Sequence, residues 1–273
     1  MAEAPDYEAE YDNRARVPEH PAIFARWASE AAAWRAELPP EALPYGPTER
    51  TAVDLFHAGD GPAVLFVHGG YWQAMDRSSF SHMARGLSLR GATVGVAGYD
   101  LCPQVSLSDI VDEIRGACRA VWRRTGQSVI VAGHSAGGHL AACMLATNWR
   151  SEPDVGVDLV PAASAISGLF DLEPLRSTRL NAAIALTEAE AGRLSPAFWP
   201  PPAGKTFDAS VGELESAEYQ RQSRLIVDRW GAAGVCTRLQ VIAQANHFTA
   251  IAPLADPGSA MVERILELRH GAA

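Results

Sequence analysis

SVIVAGHSAGGHLAACMLAT, at residues 128–147, contains the most informative turn of the chain. It places the G-x-S-x-G pentapeptide Gly133-His134-Ser135-Ala136-Gly137 between a β-branched apolar run and a run of small, helix-compatible residues. This order predicts a strand, a sharp turn and a helix, which is the setting of a nucleophile elbow. The turn forces the serine into strained backbone, while glycines allow strand and helix to approach closely. Ser135 is therefore the candidate nucleophile, with its Oγ raised above the sheet edge beside helix N–H groups.

A second glycine-containing turn follows the apolar run AVLFV (63–67) and reads HGGYW (68–72). Adjacent glycines directly after a strand allow backbone N–H groups to turn toward a bound ligand. We expect the N–H groups of Gly70 and Tyr71, together with that of Ala136 after the nucleophile, to form an oxyanion hole. His68 is interpreted as a structural group that holds the turn by hydrogen bonding.

A serine nucleophile needs a base, and His247 is the candidate. Hydrolases with a nucleophile elbow carry their triad in the chain order serine, acid, histidine. The other seven of the eight histidines precede Ser135, flank it, or lie in the C-terminal tail. These are His20, His57, His68, His82, His134, His139 and His270. His247 follows the apolar run RLQVIA (238–243), so a loop can carry it to the edge of the sheet.

The acid of the triad is expected just after an earlier strand, because its carboxylate must reach the imidazole. The apolar run TFDASVG (206–212) ends just before Glu213 and Glu215. We take Glu215 as the candidate, and Glu213 stays open as its neighbour. Asp171 is a third option, since some hydrolases place the acid one strand earlier, whereas Asp208 lies inside the strand pattern and is interpreted as structural.

Short apolar runs alternate with helical patterns from residue 51 onward. Continuous apolar runs are typical of strands buried on both faces, so the alternation predicts a mostly parallel sheet covered by helices. The predicted strands are 51–56, 63–67, 92–99, 128–133, 159–167, 206–212 and 238–243, and the predicted helices are 78–90, 106–124, 136–147, 216–233 and 257–269. Residues 1–50 are expected to be a helical lead-in with a helix over 21–37 and a proline-rich loop over 38–47. Residues 51–273 form the main domain, with a short cap-like insertion at about 169–205.

Composition narrows the classes of function. The 273 residues contain 23 Lys and Arg against 32 Asp and Glu, a net charge of −9 without a basic run, so nucleic acid and anionic membranes are poor partners. No apolar stretch is long enough to cross a bilayer, and the N-terminus lacks the pattern of a secretory signal. The four cysteines form no CxxC pair, so we expect no metal site and a reducing, cytoplasmic location.

Together these motifs resemble the kynurenine formamidase (arylformamidase) branch of the α/β-hydrolase fold. The resemblance rests on HGGYW, GHSAGG, GLFDLEPL, ELESAEYQRQS and NHF, and extends to YDNRARVPEHPAIFARW (11–27) and to NHFTAIAPLADP near the C-terminus. It implies a mostly parallel central sheet with helices on both faces and a short cap insertion. The family's nucleophile falls on Ser135, its base on His247, and its acid on Glu215, three residues before the Glu of the E-[YF]-x-R-Q-S string. The family often has Asp at that acid position, where this chain has Glu.

Members of that family hydrolyse N-formylkynurenine to kynurenine and formate without a metal. The resemblance therefore implies a serine hydrolase that cleaves an aryl formamide through an acyl-enzyme on Ser135, with no cofactor. A small-acyl carboxylesterase or lactonase of the same fold is the alternative. A non-catalytic ligand-binding protein of this fold is an alternative of another class.

The expected partner is a small molecule with an aryl amide or ester. Its pocket is expected to be lined by Tyr71, Trp72, His134 and Phe248. No residue is identified as the anchor for a substrate carboxylate, and the cap arginines Arg176, Arg179 and Arg193 are candidates without further support. Analogy alone suggests a homodimer.

Overall fold

An eight-stranded sheet forms the centre of the computed structural model, which describes residues 5–59, 61–151, 155 and 158–268. In chain order the strands are β1 (Glu41–Pro44), β2 (Ala52–Phe56), β3 (Ala63–Val67), β4 (Thr93–Ala97), β5 (Val129–His134), β6 (Ala162–Ile166), β7 (Thr206–Gly212) and β8 (Cys236–Ile242). Their order across the sheet is β1-β2-β4-β3-β5-β6-β7-β8. The six strands β4, β3, β5, β6, β7 and β8, neighbours in this order, run parallel to one another. Only the pairs β1–β2 and β2–β4 are antiparallel. The prediction of a mostly parallel sheet is confirmed.

Helices cover both faces of this sheet. In chain order they are α1 (Tyr7–Tyr11), α2 (Asn13–Arg16), α3 (His20–Glu37), α4 (Arg85–Leu89), α5 (Leu107–Thr125), α6 (Ala136–Ala146), α7 (Asn181–Ile184), α8 (Glu188–Leu194), α9 (Ala217–Gly231) and α10 (Ala260–Glu267). On one face, α5, α6 and α9 bury apolar side chains such as Ile110, Leu140 and Ile226. On the other face, α3 and α10 bury Trp27 and Ile265 among their neighbours. The strands β2 to β7 are buried on both sides, as their apolar runs predict, whereas the edge strands β1 and β8 are partly exposed.

The longest helix shows why the chain folds locally as it does. Ser106 caps α5 by accepting a hydrogen bond from the backbone N–H of Asp109, whose side chain accepts one in return from the cap. At the other end Gly126 adopts a left-handed φ of 70°, which releases the chain from the helix. Between these ends Ile110, Ile114 and Cys118 share the buried face. Such capped crossovers bring the carboxyl ends of β3, β5, β7 and β8 to one edge, where open α/β sheets bind ligands.

The structure departs from the expected elements in three places. The expected loop over 38–47 contains β1, which pairs antiparallel with β2; a proline is tolerated there because β1 is an edge strand. The predicted helix 78–90 divides into a 3₁₀ segment, Arg77–Ala84, and α4. The last helix spans Ala260–Glu267, and residue 269 of the predicted range lies outside the described residues. The insertion at 169–205 contains α7 and α8 between 3₁₀ turns.

Candidate active site

Ser135 occupies the turn between β5, which ends at His134, and α6, which begins at Ala136. Its backbone has φ 56° and ψ −119°, a strained conformation for a residue with a side chain. The tight turn is compatible only with a small residue two positions later. A Cβ added to Gly137 would lie 1.9 Å from the carbonyl oxygen of Val67, so any side chain there would push β3 and α6 apart. The predicted elbow is therefore present, with the serine at its apex.

His247 lies in the loop after β8, and its Nε2 is 3.1 Å from the Oγ of Ser135. The loop is fixed by its neighbour Asn246, whose Oδ1 accepts hydrogen bonds from the backbone N–H groups of Phe248 and Thr249. The imidazole is buried, so its position is set by these contacts rather than by solvent.

Glu215 completes a chain of three side chains. Its Oε2 is 2.7 Å from Nδ1 of His247, while its Oε1 accepts hydrogen bonds from the backbone N–H of Gly212 (2.7 Å) and from the hydroxyl of Ser167 (2.5 Å). A carboxylate only accepts, so the Nδ1 of His247 carries the proton in this arrangement. Its Nε2 is then the acceptor that faces the Ser135 hydroxyl, which is the tautomer a general base requires.

The other candidate acids are engaged elsewhere. Each has a partner of its own: Glu213 accepts from the backbone N–H of Gln244 (2.8 Å), Asp171 pairs with Arg221 (3.0 Å) and Asp208 pairs with Arg264 (2.6 Å). Of the carboxylates weighed from the sequence, the structure brings Glu215 to the imidazole.

The HGGYW turn lies directly against the nucleophile. A Cβ added to Gly69 would be 3.0 Å from the Cβ of Ser135, and the turn continues through left-handed backbone at Gly70 (φ 116°) and Tyr71 (φ 50°). Among the described residues, the backbone N–H groups of Gly70, Tyr71 and Ala136 have no protein acceptor. The three expected donors are thus unengaged and lie on the two turns that flank the serine Oγ.

Sequence reasoning missed a contribution from the N-terminal segment to this site. The Nδ2 of Asn13 donates to the hydroxyls of Tyr219 (2.9 Å) and Tyr71 (3.1 Å), and the Tyr71 hydroxyl donates to the backbone carbonyl of Tyr11 (2.7 Å). The Tyr219 ring in turn lies 4.5 Å from the His247 ring. The segment therefore braces both the glycine turn and the imidazole; the only signal for this was that the family resemblance extends through residues 11–27.

Two other imidazoles near the serine are structural. His68 stacks between Tyr99 (4.4 Å) and Phe80 (5.4 Å) and donates from Nδ1 to the carbonyl of Gly69, as expected for a group that holds the turn. His134 donates from Nε2 to the carbonyl of His247 (2.9 Å). Burial lowers the pKa of His68 to about 4 and that of His134 well below its usual 6.5, so both are neutral near pH 7.

A cavity of about 280 Å³ opens beside Ser135 and His247. Tyr71, His134 and Phe248, which are expected in the substrate pocket, line this cavity. Part of the remaining wall comes from aromatic side chains of α3 and the 3₁₀ segment, a combination the sequence did not indicate. These side chains are Phe24, Trp27 and Phe80.

Trp72, predicted to line the pocket, is instead a core residue. It is fully buried and meets the ring of His139 edge-on at 5.0 Å. The physical reason is the backbone: φ is 50° at Tyr71 and 57° at Trp72, so the chain curls through two left-handed residues. Tyr71 then faces the cavity, and the indole that follows turns away from it into the core.

Neither a metal cluster nor a membrane span is found in the part of the chain that the structure describes. There, no three His, Cys, Asp or Glu side chains are arranged to hold an ion. No helix within the described ranges is both long and apolar enough to cross a membrane.

Residues 64–249 match a family model described as the alpha/beta hydrolase fold. The structure of a Pyrobaculum calidifontis esterase superposes with a TM-score of 0.68 at 20% identity, covering 91% of this chain and 92% of that one. At such identity the likeness shows the fold alone. The sheet, the elbow and these matches define the chain as an α/β hydrolase.

Two sequence relatives of this chain are both named kynurenine formamidase. Kynurenine formamidases of Danio rerio and Salmo salar are 29% and 30% identical to this chain, each over 83% of it and 80% of the relative. A solved structure from Silicibacter sp. tm1040, described as a thioesterase candidate, is 33% identical with a TM-score of 0.86, covering 96% of this chain and 99% of that one. The chain belongs to the kynurenine formamidase branch of the α/β-hydrolase fold family. It is a hydrolase that acts on an amide or ester bond.

Proposed function

We propose that this chain hydrolyses an aryl formamide, with N-formylkynurenine as the substrate, to a free arylamine and formate. The observation that carries the proposal is the hydrogen-bonded chain from Glu215 through His247 to Ser135, which opens into an aromatic-walled cavity. The formamidases named among its relatives support the formamide as the scissile group.

In the first half-reaction Ser135 attacks the formyl carbon while Nε2 of His247 takes its proton. Glu215 keeps the Nδ1 proton oriented and offsets the charge of the imidazolium. The carbonyl oxygen becomes an oxyanion that accepts hydrogen bonds from the N–H groups of Gly70, Tyr71 and Ala136, each worth about 3 kcal/mol in the transition state. His247 then protonates the aryl nitrogen, the C–N bond breaks, and a formyl ester remains on the serine.

In the second half-reaction a water molecule takes the place of the arylamine. His247 accepts a proton from this water as its oxygen attacks the formyl ester. Collapse of the tetrahedral intermediate returns the proton to the Ser135 Oγ and releases formate. One water is consumed for each amide bond cleaved, and no redox step or cofactor is involved.

The aromatic wall supports an aryl leaving group. Phe24 meets Phe248 edge-on at 5.0 Å and lies 5.2 Å from Trp27, which lies 5.3 Å from Phe80. Rings at these separations offer faces and edges against which a planar aniline ring can pack. Because an arylamine is a weaker base than an alkylamine, it also leaves more readily from the tetrahedral intermediate.

Ester or thioester hydrolysis is the second candidate, favoured by the likeness to the Silicibacter thioesterase candidate. It would use the same three residues, with an alkoxide or thiolate leaving in place of the amine. The two candidates differ in whether the site protonates an amide nitrogen in time for its departure.

The deciding experiment compares N-formylkynurenine with p-nitrophenyl acetate on the purified protein. We expect formamide turnover with the larger kcat/KM, and ester turnover without formamide turnover would favour the second candidate. Ser135→Ala should lower kcat for either substrate at least about a thousandfold while thermal unfolding is unchanged. Undiminished turnover in that variant would contradict the acyl-enzyme mechanism.

A further inference from the structure

The wall of the cavity carries one guanidinium for which the proposed chemistry gives no role, that of Arg14 in α2. Its side chain is exposed, it lines the cavity, and its Cζ lies 6.0 Å from the centre of the Phe24 ring. No described carboxylate lies within ion-pair distance of it. A cation in that position can bind a negatively charged group of a ligand without first breaking an ion pair.

The other charged side chains in the cavity wall pair with one another and leave one net negative charge. They are the carboxylates of Glu8 and Asp12 and the guanidinium of Arg179. Arg179 binds both carboxylates, Glu8 at 3.0 Å and Asp12 at closer range, and its backbone N–H also donates to Glu8. Arg179, a cap arginine considered from the sequence, is therefore occupied. Arg14 brings the charge of this wall to zero and, among the described residues, is its guanidinium without a carboxylate partner.

We infer that Arg14 binds a carboxylate of the substrate and so selects aryl formamides that carry one; this inference rests on the proposed function. A guanidinium presents two parallel N–H donors that match the two oxygens of a carboxylate. The chain has a net charge of −9, which disfavours binding of a carboxylate, so a local cation favours recognition of that group of the substrate.

The neighbouring rings connect Arg14 to the catalytic imidazole. Below its guanidinium lies Phe24, which contacts Phe248 at 5.0 Å, and Phe248 lies 5.5 Å from His247. An aryl ring packed along these side chains would have one end at the Ser135 Oγ and the other toward Arg14. A planar ring with a formamide on one side and a carboxylate-bearing chain on the other fits this arrangement.

The competing explanation is that Arg14 is an ordinary solvated residue in the last turn of α2, where a positive charge favours the helix dipole. Arg16 provides the matched control, because it lies on the same short helix, is also exposed and does not line the cavity. Any effect of Arg14 through the helix dipole or through overall charge should be reproduced at Arg16.

The test measures kcat/KM for N-formylkynurenine and for formanilide, which has the same scissile group without a carboxylate. In Arg14→Gln the ratio of the two values should fall about ten- to hundredfold, the range expected for losing a charged hydrogen-bonded pair. In Arg14→Lys the ratio should fall less, since lysine keeps the positive charge but lacks the two parallel N–H donors of the guanidinium. In Arg16→Gln the ratio should stay within twofold of the wild-type value.

A second readout does not depend on formamide turnover. Kynurenine and kynuramine, which differ in the carboxylate, are compared as inhibitors of p-nitrophenyl acetate hydrolysis. The preference for kynurenine should fall in Arg14→Gln and persist in Arg16→Gln. An unchanged preference in Arg14→Gln, or an equal loss in both variants, would overturn the inference. Ester turnover without any formamide turnover in the wild type would instead contradict the proposed function.

Discussion

At the scale of single residues, the choice of acid shows what sequence can and cannot decide. Glu213 and Glu215 both follow β7, and either would satisfy the chain order serine, acid, histidine. The turn separates them: the backbone N–H of Leu214 donates to Ala245, and that of Glu215 donates back to Gly212. This geometry directs Glu215 inward and leaves Glu213 at the surface. Such a turn depends on contacts with the loop after β8, so the local pattern favoured Glu215 but left Glu213 open, and the family string separated the two.

We expect Glu215→Gln to lower kcat by about a hundred- to ten-thousandfold. The amide would replace a charged acceptor that faces His247 and also accepts from Gly212 and Ser167, so the imidazole would lose its required tautomer. Glu213→Gln is the matched control and should stay within threefold of the wild type. The measurement is kcat for the better of the two substrates at pH 7.5. Loss of activity only in the Glu213 variant would show that the acid has been misassigned.

At the scale of elements, most of the sheet could be predicted and the N-terminal contacts could not. The apolar runs 63–67 and 206–212 coincide with β3 and β7, because buried parallel strands show continuous hydrophobicity. β1 was missed because a short edge strand containing a proline lacks that signal. The bracing of Tyr71 by Asn13 joins residues 58 positions apart, and no local pattern encodes such a contact.

The glycines of the elbow give an element-scale prediction. Gly137→Ala should lower the free energy of unfolding by about 3 kcal/mol or more, because its Cβ would lie 1.9 Å from the Val67 carbonyl oxygen. Gly192, within α8, has nothing within 4 Å of an added Cβ. Gly192→Ala should therefore be neutral or stabilise by up to about 1 kcal/mol through helix propensity. Urea unfolding of both variants measures the difference, and equal stability of the two would contradict the packing argument.

At the scale of the whole molecule, the net charge and the buried titratable side chains have separate consequences. The charge of −9 helped to exclude classes of partner but did not indicate which groups titrate within the fold. Three fully buried histidines, His68, His134 and His139, lie close to the elbow. Burial lowers the pKa of His68 and His139 to about 4 and that of His134 well below its usual range. The sequence could count these imidazoles, but only the fold determines that they stay neutral.

Because these histidines are buried and neutral, we expect the protein to lose stability as the pH falls below about 6.5, before most carboxylates titrate. In the unfolded chain each imidazole binds a proton near pH 6.5. In the folded chain the pKa of His68 and His139 is about 4 and that of His134 lies well below 6.5. Between these values the unfolded state holds more protons, so stability falls as the pH falls, by about 1.4 kcal/mol per pH unit for each histidine. Glu113, whose pKa burial raises to about 6, acts in the opposite direction. It is one group against these three histidines and His82, whose pKa burial also lowers to about 4.

Urea unfolding at pH 7.5, 6.5, 5.5 and 4.5 measures this dependence. The free energy of unfolding should change little between the first two values and then decrease steeply. In His139→Gln the decrease should be shallower by about 1.4 kcal/mol per pH unit, since one buried imidazole has been removed. A free energy of unfolding that stays constant down to pH 5 would mean that these imidazoles accept protons within the fold, and their buried, neutral state would then be wrong.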